Sequence, residues 1–281
     1  MKEHGSRYPL CWLCALFKVS RSGYYQWLNR PASERSKQNK ELLYKIKSIY
    51  RKSRSTYGSP RVHAALSQDG ECCGKNRVAR LMKESNIRAK AAKRFRRAYE
   101  SKHREGIQAN LLNRQFTVSK PNTVWVSDIT MIPTKMGWLH LATVMDLYSR
   151  GIVGHAMSNT TTTTLIKDAL KMALNQRKRT GALLLHSDQG SQYRSSEYQT
   201  MLKENNIIAS MSRKGECHDN AVMESFYHTL KTELVYHERY DSYKEAKASL
   251  FDYIEIFYNR QRSHSTLGYR APFEYERVNQ C

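Results

Sequence analysis

The spacing of hydrophobic positions divides the chain into a helical first part and a mixed second part. Before residue 90, apolar residues recur every three or four positions, which is the helical period. This pattern predicts helices over residues 10–17, 21–28, 39–50, 60–66 and 75–85. Ser20 and Ser59 are expected to cap the second and fourth helices, with Pro60 at the first helical position of the fourth.

After residue 120 the pattern changes to short apolar runs that alternate with helical stretches. We predict strands at 123–129, 138–146, 151–158, 182–187 and 207–211. We predict helices at 162–179, 195–205, from 219 onward, and at 241–258. Three antiparallel strands followed by alternating helices and strands are typical of a mixed α/β fold.

The charge is distributed very unevenly between these two parts. Residues 1–120 contain 28 Lys and Arg against 8 Asp and Glu, whereas residues 121–281 contain 19 against 17. A first part with a net charge of +20 indicates a polyanionic partner, and nucleic acid fits better than an anionic membrane because no basic amphipathic helix with an aromatic face is present.

Two further sequence features bear on location and metal content. No apolar run approaches the length of a membrane span, and we expect a cytoplasmic, nucleoid-associated protein with no membrane partner. Cys11 and Cys14 have the spacing of half a zinc site, but no second pair follows at the required distance, so we expect reduced thiols.

Three acidic residues form the candidate chemistry. Asp128 and Asp188 each follow an apolar, strand-like run, and Glu224 lies in the predicted helix 36 positions after Asp188. The helical period places Glu224 on one face with Asn220, His228 and Lys231, and leaves Val222, Phe226 and Leu230 to pack. Three converging carboxylates could hold two Mg²⁺ ions for phosphodiester chemistry. The alternative is that the three acids share no site: Asp128 and Asp188 only end their strands, and Glu224 is a surface residue.

Several motifs in order carry a resemblance to a known family. They are the segments 125–130 (Trp-Val-Ser-Asp-Ile-Thr), 186–193 (His-Ser-Asp-Gln-Gly-Ser-Gln-Tyr) and 210–226 around Glu224, with further similarity at 19–25, 57–61, 110–116 and 258–269. Together they resemble the OrfB-type transposases of the insertion sequence 3 family, which are DDE recombinases related to retroviral integrases.

The resemblance implies an RNase H-like catalytic core with Asp128, Asp188 and Glu224 as the metal-binding triad. It implies that the protein cleaves DNA at the element ends and transfers the freed strands to target DNA. It further implies that this reaction depends on two Mg²⁺ ions, for which Mn²⁺ can substitute. It also implies that Lys231 contacts DNA. Family members act as homo-oligomers on DNA, and usually as a fusion with an upstream reading frame, so we expect such partners here.

We divide the chain accordingly. The divisions are an N-terminal helix-turn-helix-like segment (1–35), a second helix-turn-helix-like DNA-binding domain (36–88), a basic linker (89–120), the catalytic core (121–236), and a C-terminal helix with a basic tail (237–281). Besides Lys231, the expected DNA contacts are basic or aromatic residues of the first part: Arg21, Tyr24, Arg61, Arg77, Arg80, Arg94, Arg96 and Arg97.

Two other functions remain open at this point. The chain could be a non-catalytic DNA-binding regulator or partner subunit at element ends, which would bind DNA without cutting it. It could also be a nuclease of the same fold, which would cut without joining.

Overall fold

The structure is a computed structural model, and it describes residues 1, 7–31, 33–90, 107–179 and 181–279. Arg94, Arg96 and Arg97, which we predict to contact DNA, lie outside these residues. Within the described ranges, no helix is both long enough and apolar enough to cross a membrane.

Five helices lie in the described residues before residue 90, as the sequence pattern predicts. They are α1 (Leu10–Leu16), α2 (Arg21–Leu28), α3 (Glu34–Lys52), α4 (Ser59–Gln68) and α5 (Lys75–Glu84). Leu42, Ile46, Val62, Leu66 and Val78 belong to one buried cluster that joins α3, α4 and α5. We call these three helices and their connections, residues 34–90, the helical domain.

Capping explains two differences from the predicted helix boundaries. Ser33 caps α3 by accepting the Ser36 N–H, so the helix begins five residues before the predicted start. Its first turns are polar, and apolar spacing does not detect them. The expected cap of α4 was wrong, because Gly58 is the N-cap and Ser59 is already helical. Ser20 caps α2 as predicted, accepting the Gly23 N–H.

A five-stranded mixed sheet forms the centre of the described second part, in the order β3-β2-β1-β4-β5. The strands are β1 (Val124–Thr134), β2 (Gly137–Asp146), β3 (Ile152–Ser158), β4 (Leu183–Ser187) and β5 (Ile207–Met211). β1, β2 and β3 pair antiparallel, whereas β4 pairs parallel to both β1 and β5. This order and direction are those of the RNase H-like fold and confirm the predicted fold class.

Helices cover both faces of the sheet and bury two separate cores. On one face pack α6 (Thr163–Gln176), α7 (Ser191–Arg194) and α8 (Ser196–Glu204). On the other face pack α9 (Ala221–Glu233), which a 3₁₀ turn at Cys217–Asn220 precedes, and α10 (Tyr243–Phe251). We call this second side the α9 face.

The end of the chain is more folded than the sequence predicts. α10 continues directly into a π-helical segment, Asp252–Tyr258, and α11 (Pro272–Asn279), which we did not predict, follows. We predicted a basic tail after residue 258, yet Asn259 and Arg262 are buried in the structure. Basic residues in this segment therefore serve the interior as well as the surface.

β1 runs five residues past its predicted end. It pairs with β2 as far as Thr134, but with β4 only at Val124–Val126. Beyond Val126 the described residues place no strand on the outer edge of β1, where only Thr134 forms an isolated bridge with Tyr240. An edge position of this kind tolerates Pro133.

Candidate active site

Asp128 lies on β1, on the α9 face of the sheet. Strand side chains alternate between faces, and Val126, two residues earlier, is buried in the core on that face. The Asp128 side chain therefore projects to the same side. Its Oδ1 accepts the backbone N–H of Ile129 at 2.8 Å.

Asp188 immediately follows β4, the parallel neighbour of β1. Leu184 of β4 packs against the core of the α9 face, so Asp188, four residues later, emerges on that side too. The residue is solvent-exposed, and its Oδ1 accepts the backbone N–H of Gly190 at 2.9 Å. The topology thus brings the two aspartates to one edge of adjacent strands.

Glu224 is carried by the first turn of α9, which packs across this face. The buried side of α9 consists of Met223, Phe226, Tyr227 and Leu230. Val222, which the sequence pattern assigns to the packed side, is only partly buried. The predicted Phe226 and Leu230 are fully part of the core.

Tyr227 fixes the position of α9 against the strand that bears Asp128. Its hydroxyl donates to the backbone carbonyl of Asp128 at 2.5 Å and pairs with the Thr143 hydroxyl of β2 at 2.8 Å. Because Tyr227 lies less than one helical turn after Glu224, this contact sets the height of Glu224 above β1. No sequence pattern indicates this role, since a tyrosine among the apolar positions of a helix is usually a core residue.

The charges of neighbouring groups act on Asp128. Loss of hydration, followed by the negative charges of Asp188 and Glu224, raises the pKa of Asp128 well above its usual range. The Ile129 N–H and the Lys231 ammonium oppose that rise in pKa. Asp188 keeps an exposed surface, yet the protein around its carboxyl group reduces its hydration and raises its pKa, against the Gly190 N–H and the charge of Arg194. The charges of Asp188, Glu224 and Lys231 thus all reach Asp128, and the role of the three acids as a metal-binding triad stays a prediction.

Lys231 lies on α9 within electrostatic range of Asp128. Seven residues after Glu224, it is about 10 Å further along the axis. The side chain is half-buried, which lowers its pKa, and the charge of Asp128 raises that pKa in return.

Asn220 is a second polar residue of this face. It is buried at the start of α9, one turn before Glu224, and neither its Oδ1 nor its Nδ2 has a hydrogen-bond partner among the described residues. Such buried amide groups are costly unless another group satisfies them. The side chain can therefore serve a bound group that is not part of the protein.

Oxygen donors of this kind suit Mg²⁺ or Mn²⁺, which prefer carboxylate and water ligands. In the described part of the chain, no three His, Cys, Asp or Glu side chains are already gathered around a single ion position. The donor set and the unsatisfied Asn220 amide fit a hard divalent cation.

The predicted DNA-contacting residues of the helical parts occupy different settings. Arg21 and Arg80 are exposed, and Arg80 forms an ion pair with Glu84 at 3.7 Å. Tyr24 stacks on Trp27, with ring centroids 6.1 Å apart. Arg77 is half-buried and donates to Asn39, and Arg61 forms an ion pair with Glu233 of α9. Their contacts with DNA stay predictions.

Comparison with protein families identifies both parts of the chain. The family described as an HTH-like domain matches residues 37–95, and two families described as Integrase core domain match residues 118–217 and 205–272. Among solved structures, a simian T-cell lymphotropic virus intasome is 17% identical with a TM-score of 0.47, covering 75% of this chain and 69% of that chain. At that distance it adds nothing to the fold, which the strand order establishes.

Two curated relatives extend over almost the entire chain. An insertion element IS600 uncharacterized 31 kDa protein of Shigella sonnei is 43% identical over 260 residues, covering 92% of this chain and 96% of its own length. The transposase InsF for insertion sequence IS3A of Escherichia coli (strain K12) is 38% identical over 281 residues, covering 99% and 98%. With its helix-turn-helix-like and integrase core domains in order and this similarity along its length, the chain belongs to the insertion sequence 3 family of transposases.

Proposed function

We propose that the chain is a DDE-type transposase that cleaves DNA at the ends of an insertion sequence and joins those ends to target DNA. Family membership supports DNA transposition and integration by a polynucleotidyl transferase. The observation that supports the finer proposal is the position of Asp128 on the α9 face, where the negative charges of Asp188 and Glu224 act on it. No protein nucleophile is needed for this chemistry, since water and a DNA 3′-hydroxyl attack in turn.

The reaction comprises two displacements at phosphorus. Hydrolysis breaks the bond between phosphorus and the 3′-oxygen at the element end, and water supplies the new oxygen and a proton to the freed 3′-hydroxyl. That hydroxyl then attacks a target phosphodiester, so that one P–O bond forms as another breaks and the target strand leaves with its own 3′-hydroxyl.

Asp128, Asp188 and Glu224 would hold two Mg²⁺ ions, or Mn²⁺ in their place. When bound, these ions supply activation of the attacking oxygen and charge stabilisation of the leaving oxygen. Tyr227 keeps α9 in register with β1, so that Glu224 stays beside the two aspartates. The Lys231 ammonium binds a phosphate oxygen near the scissile bond, and the Asn220 amide donates to a non-protein oxygen in the site.

DNA binding outside the acidic site falls to the basic first part of the chain. The helical domain and the segment before it position the element end, chiefly through phosphate contacts. Two ends must be joined in one event, and we therefore propose that two or more copies assemble on DNA. The product of an upstream reading frame, supplied as a fusion, is a further proposed partner.

The test uses the full chain, alone and fused to the upstream product, with a supercoiled plasmid that carries candidate element ends. With Mg²⁺ we expect joined products, and the variants Asp128→Asn, Asp188→Asn and Glu224→Gln should lose them while binding DNA almost as the parent does. Glu197→Gln is the matched control, because Glu197 is an exposed acid of α8 paired with Lys167.

The possible outcomes separate the competing functions. Cutting without joining would indicate a nuclease, and specific binding without cutting would indicate a regulator or partner subunit. Cleavage by any one triad variant at the parental rate would remove that residue from the site.

A further inference from the structure

The last residue of α9 is a buried carboxylate with an unusual number of partners. Glu233 is 7% exposed. The Arg262 guanidinium donates to both of its oxygens at 2.7 Å, and the Tyr253 hydroxyl donates to Oε2 at 2.8 Å. A two-pronged arginine contact of this kind fixes direction as well as distance. The far end of the helix that carries Glu224 is therefore held rigidly to the C-terminal segment.

A second arginine approaches the same carboxylate from the helical domain. Arg61 of α4 lies with Nη1 3.5 Å from Oε1 of Glu233, and its guanidinium stands over the ring of Tyr57, 5.8 Å from the centroid. The Arg61 side chain is only 26% exposed. Most of it therefore faces protein rather than the solvent from which DNA would approach.

Two more contacts join the helical domain to the same spot. The Tyr57 hydroxyl accepts the backbone N–H of Ser263 at 2.6 Å, next to Arg262 in the chain. The Lys90 ammonium donates to the backbone carbonyl of Glu233 at 3.3 Å. Positive groups at the C-terminal end of a helix are also favoured by the helix dipole. We call Arg61, Tyr57 and Lys90, together with Glu233, the α9 latch.

The helix itself can transmit a displacement at the latch. Glu224 and Glu233 are nine residues apart in one unbroken α-helix, which corresponds to about 13 Å along its axis. Catalytic geometry is sensitive to small errors, and a misplacement of about 1 Å can cost on the order of a hundredfold in rate. A change at Glu233 that slides or tilts α9 therefore alters the distance from Glu224 to Asp128.

We propose that the α9 latch makes catalysis depend on the seating of the helical domain, with Arg61 as a positioning residue that sets Glu224 through Glu233. This inference rests on the proposed function. It also gives Arg61 a role that differs from DNA contact, and the two roles predict opposite kinetics.

The experiment compares Arg61→Gln with Lys37→Gln in the full chain. Lys37 is the matched control because it lies in the same domain, is exposed, pairs with Glu34 within its own helix, and is not among the expected DNA contacts. For a positioning role, cleavage at saturating DNA falls about ten- to a hundredfold in Arg61→Gln, with DNA affinity and its salt slope as in the parent. Arg61→Lys keeps the charge and should recover part of the rate.

The opposite pattern would overturn the proposal. If Arg61 binds a phosphate instead, Arg61→Gln weakens DNA binding and lowers the salt slope by about one, whereas the rate at saturation stays parental. A variant whose rate and affinity both match the parent would overturn it equally.

A second measurement does not depend on catalysis, so it tests the α9 latch even if the proposed function is wrong. Amide hydrogen exchange over residues 221–233 should be faster in Arg61→Gln and in Glu233→Gln than in the parent or Lys37→Gln, without DNA or metal. Glu233→Gln keeps the shape of the side chain but not its charge. If α9 exchanges at the parental rate in both variants, there is no latch; if the parent never cleaves DNA, the proposed function fails while this measurement still decides.

Discussion

Asp219 is a buried residue whose hydrogen bonds hold the start of α9 in place. It is fully buried, and its carboxylate accepts hydrogen bonds from the Arg213 backbone and guanidinium, from Arg114 and from Asn110. These donors come from the loop before α9 and from residues 110–114. The segment that leads into α9 is thereby tied to the chain that precedes β1.

We expect Asp219→Asn to destabilise the protein by about 2 kcal/mol at pH 7, because it removes charge-assisted hydrogen bonds from a buried site whose arginine partners are half-exposed. The Arg213 guanidinium holds the pKa of Asp219 well below its usual range. A lowered folded pKa contributes stability above the unfolded value of about 3.9, and this contribution is lost as the pH falls below it.

Denaturant unfolding over a pH series measures this effect. The gap between parent and Asp219→Asn should be largest at neutral pH and should close below about pH 4. Asp241→Asn is the control, since Asp241 pairs with Lys135 in full solvent contact and should matter little. Equal stabilities at pH 7 would show that the Asp219 contacts contribute nothing.

Lys231→Ala should raise the DNA concentration needed for joining and reduce the salt slope by about one phosphate contact. The magnesium requirement should stay unchanged, because the ammonium is expected to bind DNA rather than replace a metal ligand. Lys203→Ala, an exposed lysine of α8 on the other face, serves as control. A shifted magnesium optimum with parental DNA dependence would place Lys231 inside the metal site instead.

At this scale the sequence marks the charged candidates of the site better than the neutral ones. Asp128, Asp188, Glu224 and Lys231 are identifiable because strand ends, helical period and family motifs mark them. The helical period places Asn220 on the Glu224 face without assigning it a role, and Tyr227 is not identified because its role depends on a contact between β1 and α9. Spacing within one helix cannot show what a side chain meets on another element.

At the scale of elements, β3 and α6 pack so closely that the contact position on β3 requires glycine. A Cβ added at Gly154 of β3 would meet the carbonyl oxygen of Ala169 and lie 2.8 Å from the Cβ of Ala173. Both obstacles belong to the backbone or a short side chain of α6, and neither can rotate away. Gly154 thus sets the distance between helix and sheet.

We expect Gly154→Ala to lower the free energy of unfolding by about 1–3 kcal/mol, the usual cost of overpacking a core. Gly181→Ala is the matched control, because nothing lies within 4 Å of a Cβ built there. Thermal or denaturant unfolding of the two variants measures the difference. A Gly154→Ala variant as stable as the parent would mean that α6 shifts without cost.

The predicted elements were most accurate where apolar periodicity coincided with the real boundaries. The core strands and α9 were found, because burial on one or both sides leaves a clear pattern. The polar first turns of α3, the outer half of β1 and the whole of α11 were missed or cut short. These segments owe their structure to a cap, to pairing with the next strand β2 and to a buried ion pair, none of which appears in the local apolar pattern.

Over the whole molecule, the boundary between the two parts lies earlier than the change in sequence pattern. Leu112 is buried in the core of the α9 face, and Asn110 and Arg114 bind Asp219. The end of the predicted linker therefore belongs structurally to the catalytic core. A truncated chain that keeps the core intact should begin at residue 107 rather than 121.

Removing residues 1–106 should weaken DNA binding strongly and flatten its salt dependence. That segment contains 26 of the 47 Lys and Arg residues but 8 of the 25 Asp and Glu, so the remainder keeps a net charge of only +4. Each phosphate neutralised contributes about 0.9 to the slope of log affinity against log salt. Filter binding of the full chain and of residues 107–281 over a salt series measures both quantities. The core should retain a shallow slope from contacts such as Lys231, while the full chain shows a steep one. Equal affinities and equal slopes would contradict the division of labour between a basic DNA-binding part and an acidic catalytic face.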